Sequence, residues 1–239
     1  MQNAYETKLV LTAAVCDAEG KLSYPGAFCV FQDAATAHAP LLGVGYYDLS
    51  PRSLFWLAVR TKIHFNARPH LEEHVTVRTW PEKPGAARCN RSYELRRGDE
   101  VLVCGKTEWA VINTETHAIT PMAEVFPQMD FDLPPACPAP FARVPDRFAG
   151  IEPFAEYRVR STDIDIGGHM HNAFYPRALF GAFSSAQIAA MPITDIDVAF
   201  RTPCFEGETL RFYQKENDGA LDLRAARGDE TVLLARITY

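Results

Sequence analysis

Apolar residues in the first half of the chain follow a helical spacing and then a strand spacing. Residues 23–42 repeat apolar positions at helical intervals, and Ser23 and Pro25 suit the start of a helix. Gly43 follows, where a glycine commonly ends a helix. The next apolar runs have the length and composition of strands and cover residues 54–65, 74–80, 87–96 and 101–113. This pattern predicts one long helix followed by an antiparallel sheet.

The second half of the chain repeats this order of elements. A helical stripe extends from about Asn172, which is predicted to cap the helix, to Ala190, with Pro176 near its start. Strand-like runs follow at residues 195–201, 209–216, 221–227 and 231–239. Because the order is preserved while residue-by-residue similarity is weak, it indicates duplication of a whole domain. One helix wrapped by an antiparallel sheet is the hotdog architecture, so the predicted fold class is α+β, a tandem (double) hotdog.

A proline-rich segment separates the two halves. Residues 121–149 hold seven of the 17 prolines, namely those at positions 121, 127, 134, 135, 138, 140 and 145. Proline lacks the backbone N–H and fixes its own φ, so this segment cannot form a regular helix or a central strand. The predicted organisation is therefore a first domain at residues 1–120, an extended linker at 121–149 and a second domain at 150–239.

Composition and charge narrow the class of protein. The chain has 239 residues, 47% hydrophobic and 23% charged, the balance of a globular protein, and shows no apolar run of transmembrane length and no leader peptide. We therefore expect a soluble, cytoplasmic protein that does not enter a membrane. The net charge of −6 without a basic stripe argues against nucleic acid as a partner. Basic residues between Arg78 and Arg97 form either a local patch for an acidic protein or a solvated strand face.

Polar residues with catalytic potential are densest at residues 161–172. Hydrolysis of a thioester needs an activated water and a stabilised oxyanion, because a thiol of pKa about 8.5 leaves readily. His169 could activate the water while Asp165 holds its ring, and free N–H groups at a helix start could stabilise the oxyanion. The alternative is a turn with capping side chains, in which His171 is a surface or capping residue.

Other catalytic classes are not indicated by the sequence. No GxSxG, P-loop or GxGxxG motif occurs, and no His/Asp/Glu triplet has a known metal-ligand spacing. The six cysteines show no CxxC spacing, which is typical of buried free thiols. We therefore expect no metal ion.

The chain resembles the acyl-ACP thioesterases of bacteria and plant plastids over about residues 5–239. The resemblance lies in residues 34–38, 42–44, 55–57, 79–81, 91–93 and 108–112 of the first half, and in 163–172 (DIDIGGHMHN) and Tyr175 of the second. It implies hydrolysis of fatty acyl-ACP to free fatty acid and holo-ACP in fatty acid biosynthesis, without a cofactor. It also implies that the first hotdog holds the acyl chain and the second carries the catalytic motif.

Carried over residue by residue, the resemblance assigns the catalytic positions. The family's Asp falls on Asp165, its His on His169, and its closing pair of asparagines on His171 and Asn172. The asparagine between Asp and His falls on Gly167, so restoring it by Gly167→Asn is expected to keep or raise activity if the glycine's φ is negative.

The resemblance also places two positions outside the motif at 163–172. A glutamate proposed as catalytic in plant members falls on Pro203, before Cys204, and Glu206 or Glu208 is a candidate replacement.

Four residues are predicted to bound the acyl pocket, and their bulk indicates short or medium chains. They are Phe28, Phe31 and Ala35 on the first helix, with Trp56.

Several alternative functions stay open at this level. Acyl-CoA could replace acyl-ACP as the substrate, and a degenerate acyl-thioester-binding protein is another reading, because Gly167 and Pro203 depart from the family. A hotdog enoyl-thioester hydratase usually has four residues between its Asp and His and an Asn-Pro between them, whereas Asp165 and His169 have three and no Asn-Pro. Acyl carrier protein is the expected partner, and a homodimer is left open.

Overall fold

The computed structural model describes residues 4–126, 129–217 and 219–239, and its elements follow the predicted order. The strands are β1 (Tyr5–Val10), β2 (Leu54–Phe65), β3 (His74–Pro81), β4 (Cys89–Arg97), β5 (Glu100–Asn113), β6 (Ile119–Thr120), β7 (Ala155–Arg158), β8 (Asp195–Phe200), β9 (Thr209–Asn217), β10 (Ala220–Arg227) and β11 (Glu230–Thr238). The helices are α1 (Tyr24–His38), α2 (Tyr46–Leu49), α3 (Met122–Val125), α4 (Phe174–Phe180) and α5 (Ser185–Ala190).

All of these strands join one antiparallel sheet that both halves share. The order is β1-β3-β4-β5-β2-β8-β11-β10-β9-β7, with β6 paired to β5. Strands β2 and β8 connect the halves, and the ammonium of Lys62 on β2 lies 2.9 Å from Asp197 and 3.0 Å from Asp195 on β8. Each half places a helix against its part of the sheet, and Tyr24 of α1 stacks on Phe180 of α4. The predicted α+β double hotdog is confirmed.

Helix α1 begins as its sequence predicts. The side-chain oxygen of Ser23 accepts a hydrogen bond from the Gly26 N–H at 2.9 Å, which satisfies one of the free donors of the first turn. The α-helix ends at His38, and residues Ala39–Leu42 continue as a tighter 3₁₀ turn, since Pro40 has no N–H for an α-helical bond. Gly43 then adopts φ 69° and ends the element.

The second predicted helix is not continuous, and the expectation of one helix at 172–190 is wrong. It consists of α4 and α5, separated by residues 181–184. Ser184 begins a new helix, because its side chain accepts the Gln187 N–H while the Gln187 side chain accepts the Ser184 N–H. Asn172 is not the helix cap either, since Ala173 occupies that position. Asn172 instead lines the cavity described below.

The proline-rich segment is a strap on the face of the sheet opposite α1. Apart from one short helix, α3, residues 121–126 and 129–149 form no helix or strand, while Pro127 lies outside the described residues. Hydrogen bonds hold the strap on the sheet. The side chains of Trp80 and Lys106 donate to the carbonyls of Pro134 and Ala139, and the Ala142 N–H donates to the Asp197 carboxylate. Across the described ranges, no helix has the length and apolarity to cross a membrane.

Candidate active site

A cavity of about 380 Å³ lies between the two halves of the chain. Its walls in the first half are mostly apolar and include the predicted Ala35 and Trp56. The second half contributes Asp165, His171 and Asn172 from the predicted catalytic set. A volume of this size is typical of a small-molecule site. The fold therefore brings an apolar chamber and a group of polar side chains together, although Ala35 and Trp56 are more than a hundred residues from Asp165 in sequence.

The other two predicted pocket residues lie deeper. Phe28 and Phe31 border a separate void of about 20 Å³. Phe31 is 3% exposed and stacks on Tyr93 with ring centroids 5.0 Å apart. Gln32 and Asn172 border both spaces, so these two side chains lie between the large cavity and the small void.

Asp163 fixes the loop that carries the catalytic candidates. Its buried carboxylate accepts hydrogen bonds from the Tyr157 hydroxyl and the Arg160 N–H, both at 2.7 Å. Its backbone carbonyl accepts the His171 N–H at 2.8 Å. Because these bonds tie the loop to β7 and to its own far end, His171 enters the cavity on a fixed backbone.

Asp165 and His169 face each other across a tight turn. The Asp165 N–H donates to the His169 carbonyl, and the Gly168 N–H donates to the Asp165 carbonyl, both at 3.0 Å. Gly168 has φ +76°, a conformation that favours glycine. The Asp165 carboxylate accepts the Gly167 N–H at 2.8 Å. Both side chains of the predicted pair thus project from one rigid turn.

His169 and Gly167 are not among the residues that line the cavity, whereas Asp165 and His171 on either side of them are. The hydrogen-bonding surroundings of the His169 ring favour one tautomer. Its Nδ1 lies 3.7 Å from the Asp165 carboxylate and 3.4 Å from the Met170 carbonyl, so two acceptors favour a proton on this nitrogen. The Nε2 atom then carries the lone pair. The ring contacts Phe55 edge to face at 5.9 Å, and its side chain is 17% exposed. A neutral His169 can therefore accept a proton at Nε2.

His171 has the opposite tautomer. Its Nδ1 accepts the Ala173 N–H at 3.2 Å, which places the proton of the neutral ring on Nε2. Burial lowers the pKa of His171, against the raising effect of the Asp165 and Asp33 carboxylates. The ring is therefore held neutral and presents an N–H donor rather than a base.

The start of α4 does not offer the first N–H groups that the sequence led us to expect for an oxyanion. The Ala173 N–H is bonded to the His171 ring, and the Phe174 N–H donates to the His171 carbonyl at 2.8 Å. His171 and Asn172, which both carry side-chain N–H groups, line this end of the cavity.

Gly167 has no room for a side chain. A Cβ at this position would lie 2.8 Å from Phe55 Cζ, 2.9 Å from His169 Nε2 and 3.0 Å from Asp165 Oδ1. The ring of Phe55 therefore packs into the space that an asparagine side chain would need.

The carboxylate lost at Pro203 is not replaced by its neighbours. Glu208 accepts the Phe205 N–H at 2.9 Å and pairs with Arg227 at 2.8 Å, and neither Glu206 nor Glu208 reaches the cavity wall.

Asp33 on α1 is close enough to influence the pKa of His171, and burial raises the pKa of Asp33 itself. In the described ranges no group of three or more His, Cys, Asp or Glu is arranged to hold a metal ion.

Three residues near this site were missed by the sequence reasoning: Asp33, Phe55 and Arg91. Each comes from the first half, and no local spacing connects it to residues 161–172. Arg91 was counted among the surface basic residues, but it is only 6% exposed and lines the cavity.

The chain is thus a protein of the double-hotdog class with a histidine–carboxylate turn beside an apolar cavity. Family models for the N-terminal and C-terminal domains of acyl-ACP thioesterases match residues 2–128 and 151–237. The chain belongs to the acyl-ACP thioesterase family and is a thioester hydrolase.

Solved structures share the whole architecture. An acyl-ACP thioesterase from Bacteroides thetaiotaomicron superposes with a TM-score of 0.84 at 19% identity, covering 99% of this chain and 97% of that one. A 12:0-ACP thioesterase from Umbellularia californica gives 0.82 at 17% identity, covering 100% of this chain and 97% of that one. At such identities the likeness shows the fold alone. No curated protein sequence matches this chain.

Proposed function

We propose that this chain hydrolyses fatty acyl-ACP in the cytoplasm, as a step of fatty acid biosynthesis, and releases a free fatty acid and holo-ACP. The observation that carries the proposal is the cavity itself, in which an apolar chamber ends at Asp165, His171 and Asn172. Membership of the acyl-ACP thioesterase family supports the substrate class.

In the proposed reaction, His169 activates the water. Its Nε2 removes a proton as the water oxygen bonds to the thioester carbonyl carbon, and the Asp165 carboxylate stabilises the resulting imidazolium. The tetrahedral intermediate then expels the thiolate of holo-ACP, which takes the proton from His169. The products are a carboxylic acid and a thiol, and the histidine is again neutral.

The donors for the oxyanion come from the next two residues. The Nε2–H of neutral His171 and the side-chain amide of Asn172 border the cavity where the thioester would lie. Donors that are fixed before the reaction stabilise the developing negative charge without reorganisation. Gly167 contributes by having no side chain, because a Cβ at this position would displace Phe55 or His169.

The first half supplies the acyl-binding walls. Ala35 and Trp56 border the chamber, and Phe28 and Phe31 limit its extension toward the small void. The domain roles proposed here are therefore acyl binding by residues 1–120 and chemistry by 150–239, with short or medium chains preferred.

The proposal is tested by measuring thiol release from acyl-ACP and acyl-CoA of equal chain length, beside water addition to an enoyl thioester. We expect thiol release with a higher kcat/KM for acyl-ACP, unchanged after dialysis against EDTA. Water addition without thiol release would establish a hydratase instead. Tight acyl-ACP binding without either reaction would establish a binding protein, and activity lost to EDTA and restored by zinc would overturn the water activation by His169.

Filling the chamber is expected to shorten the preferred chain. Ala35→Phe should lower kcat/KM for the longest accepted acyl-ACP by about tenfold or more while sparing shorter ones, because the new ring occupies the cavity. The measurement is kcat/KM across a series of saturated acyl-ACPs. Ala37→Phe on the exposed side of the same helix is the control and should leave the profile unchanged.

The converse change tests whether the small void is part of the chamber. Phe31→Ala should destabilise the protein by about 3–5 kcal/mol, as loss of a buried phenylalanine does. If longer chains are also accepted, Phe31 bounds the acyl site; an unchanged profile would make it a core residue only.

A further inference from the structure

Arg91 is a buried cation in the wall of the apolar chamber. It lies on β4, is 6% exposed and lines the cavity. Its hydrogen bonds use one nitrogen only: Nη1 is 3.0 Å from His38 Nδ1 and 3.4 Å from Thr79 Oγ1. Both partners are neutral acceptors, because His38 Nδ1 must offer its lone pair to the guanidinium.

The other edge of the guanidinium has no protein acceptor. Throughout the described parts of the chain, Nε and Nη2 make no hydrogen bond, and no carboxylate lies within 4.0 Å of Arg91. Burial lowers the pKa of Arg91, but a guanidinium stays protonated in proteins. A buried charge without a counter-ion is strongly unfavourable, so its presence in a ligand chamber points to an anionic ligand group.

The position of Arg91 matches the far end of an acyl chain. The catalytic turn contacts Phe55 on β2, whereas Arg91 is on β4, two strands and roughly 10 Å away across the sheet. Phe55 pairs with Ile112 of β5 and Arg91 with Thr107 of the same strand, so the two are also about 17 Å apart along the strands. A methyl-ended chain would place apolar groups against the unpaired edge of the Arg91 guanidinium, which lines the cavity.

We propose that Arg91 binds a carboxylate at the far end of the acyl group, so that the substrate class is the half-thioester of a dicarboxylic acid. The Nε and Nη2 donors form the fork that receives two carboxylate oxygens side by side. The inference rests on the proposed function in one respect, namely that the thioester lies at the turn of Asp165 and His169. It adds a charged group, a carboxylate, at the end of the acyl chain opposite the thioester.

The test compares two acyl-ACPs of equal carbon number, one ending in a carboxylate and one in a methyl group. We expect the wild-type enzyme to hydrolyse the carboxylate-ended substrate with a kcat/KM roughly 10- to 100-fold higher, the range expected for hydrogen bonds to a charged group. Arg91→Met, which keeps the length but removes charge and donors, should reverse this preference. Arg91→Lys keeps the charge without the fork and should fall between.

Matched controls separate binding from folding. Arg96 on the same strand pairs with Glu94 at 2.8 Å outside the cavity, so Arg96→Met should leave the preference unchanged. Melting temperatures show whether Arg91→Met is folded. If that variant is unfolded, the substrate preference of the wild type and of Arg91→Lys decides whether Arg91 binds the carboxylate. Equal hydrolysis of both substrates by the wild type, with Arg91→Lys lowering both alike, would overturn the subsite and make Arg91 structural.

A binding measurement distinguishes failure of the subsite from failure of the proposed reaction. The probes are the monomethyl ester of a dicarboxylic acid and the methyl ester of the monocarboxylic acid of the same length, titrated calorimetrically. Tighter binding of the first, lost in Arg91→Met or Arg91→Lys, supports the subsite even if no thioester is hydrolysed. Hydrolysis of methyl-ended acyl-ACP without any gain from the carboxylate supports the reaction and refutes the subsite.

Discussion

His169→Ala is expected to lower kcat by about two orders of magnitude or more while the protein stays folded. The Nε2 lone pair of His169 is the proposed proton acceptor, and general-base catalysis by a positioned side chain contributes roughly 10²–10⁴-fold. The fold should survive because the ring is partly exposed and, among the described residues, its one aromatic contact is with Phe55. Steady-state thiol release from acyl-ACP measures the effect, with the melting temperature as a check on folding.

Glutamine substitutions distinguish the base from the donor. A glutamine amide can donate a hydrogen bond but cannot accept a proton from water, so His171→Gln should retain activity within about tenfold while His169→Gln should match His169→Ala. His74→Ala, at the exposed start of β3, is the control and should leave kcat unchanged. If His171→Gln were inactive and His169→Gln active, the base would be His171 and the assignment made here would be wrong.

Much of the fold could be predicted from the sequence because strand signals are local. The predicted strand at 54–65 coincides with β2, and the other long strands agree within two residues, since alternating apolar residues and turn residues mark their ends. The second helix was predicted as continuous because its alanine-rich stripe continues past residue 181. The break follows from the Ser184–Gln187 capping box, a local signal that the helical stripe obscured.

The candidate site was predictable only where its residues are adjacent in sequence. Asp165, His169 and His171 lie in one loop, so their spacing alone suggested a catalytic group. Phe55 and Arg91 reach the site through the packing of the first half against the second, and periodicity cannot report such long-range neighbours. Arg91 also has the sequence context of a surface arginine, and only its burial on the cavity side of β4 reveals an unpaired cation.

Packing between residues that are distant in sequence also changes the expectation for Gly167. The resemblance to the acyl-ACP thioesterases led us to expect that Gly167→Asn would keep or raise activity, and Gly167 does lack a positive φ. However, a Cβ would come within 3.0 Å of Phe55, His169 and Asp165. An added side chain must therefore displace Phe55 or, where Phe55 stays in place, the base or its carboxylate.

Gly167→Asn is thus expected to lower kcat by roughly 100-fold, because a misplacement of about 1 Å at reacting groups has effects of that size. Gly85→Asn, where a Cβ would meet its nearest atom at 3.4 Å, is the control and should be neutral. Combining Gly167→Asn with Phe55→Ala should recover much of the activity, since Phe55 is the nearest obstacle and comes from the other half. Recovery would show that Phe55 and Gly167 together replace the asparagine position. A double variant that melts like the wild type and stays inactive would show instead that the reaction needs the bare backbone of Gly167 beside the substrate.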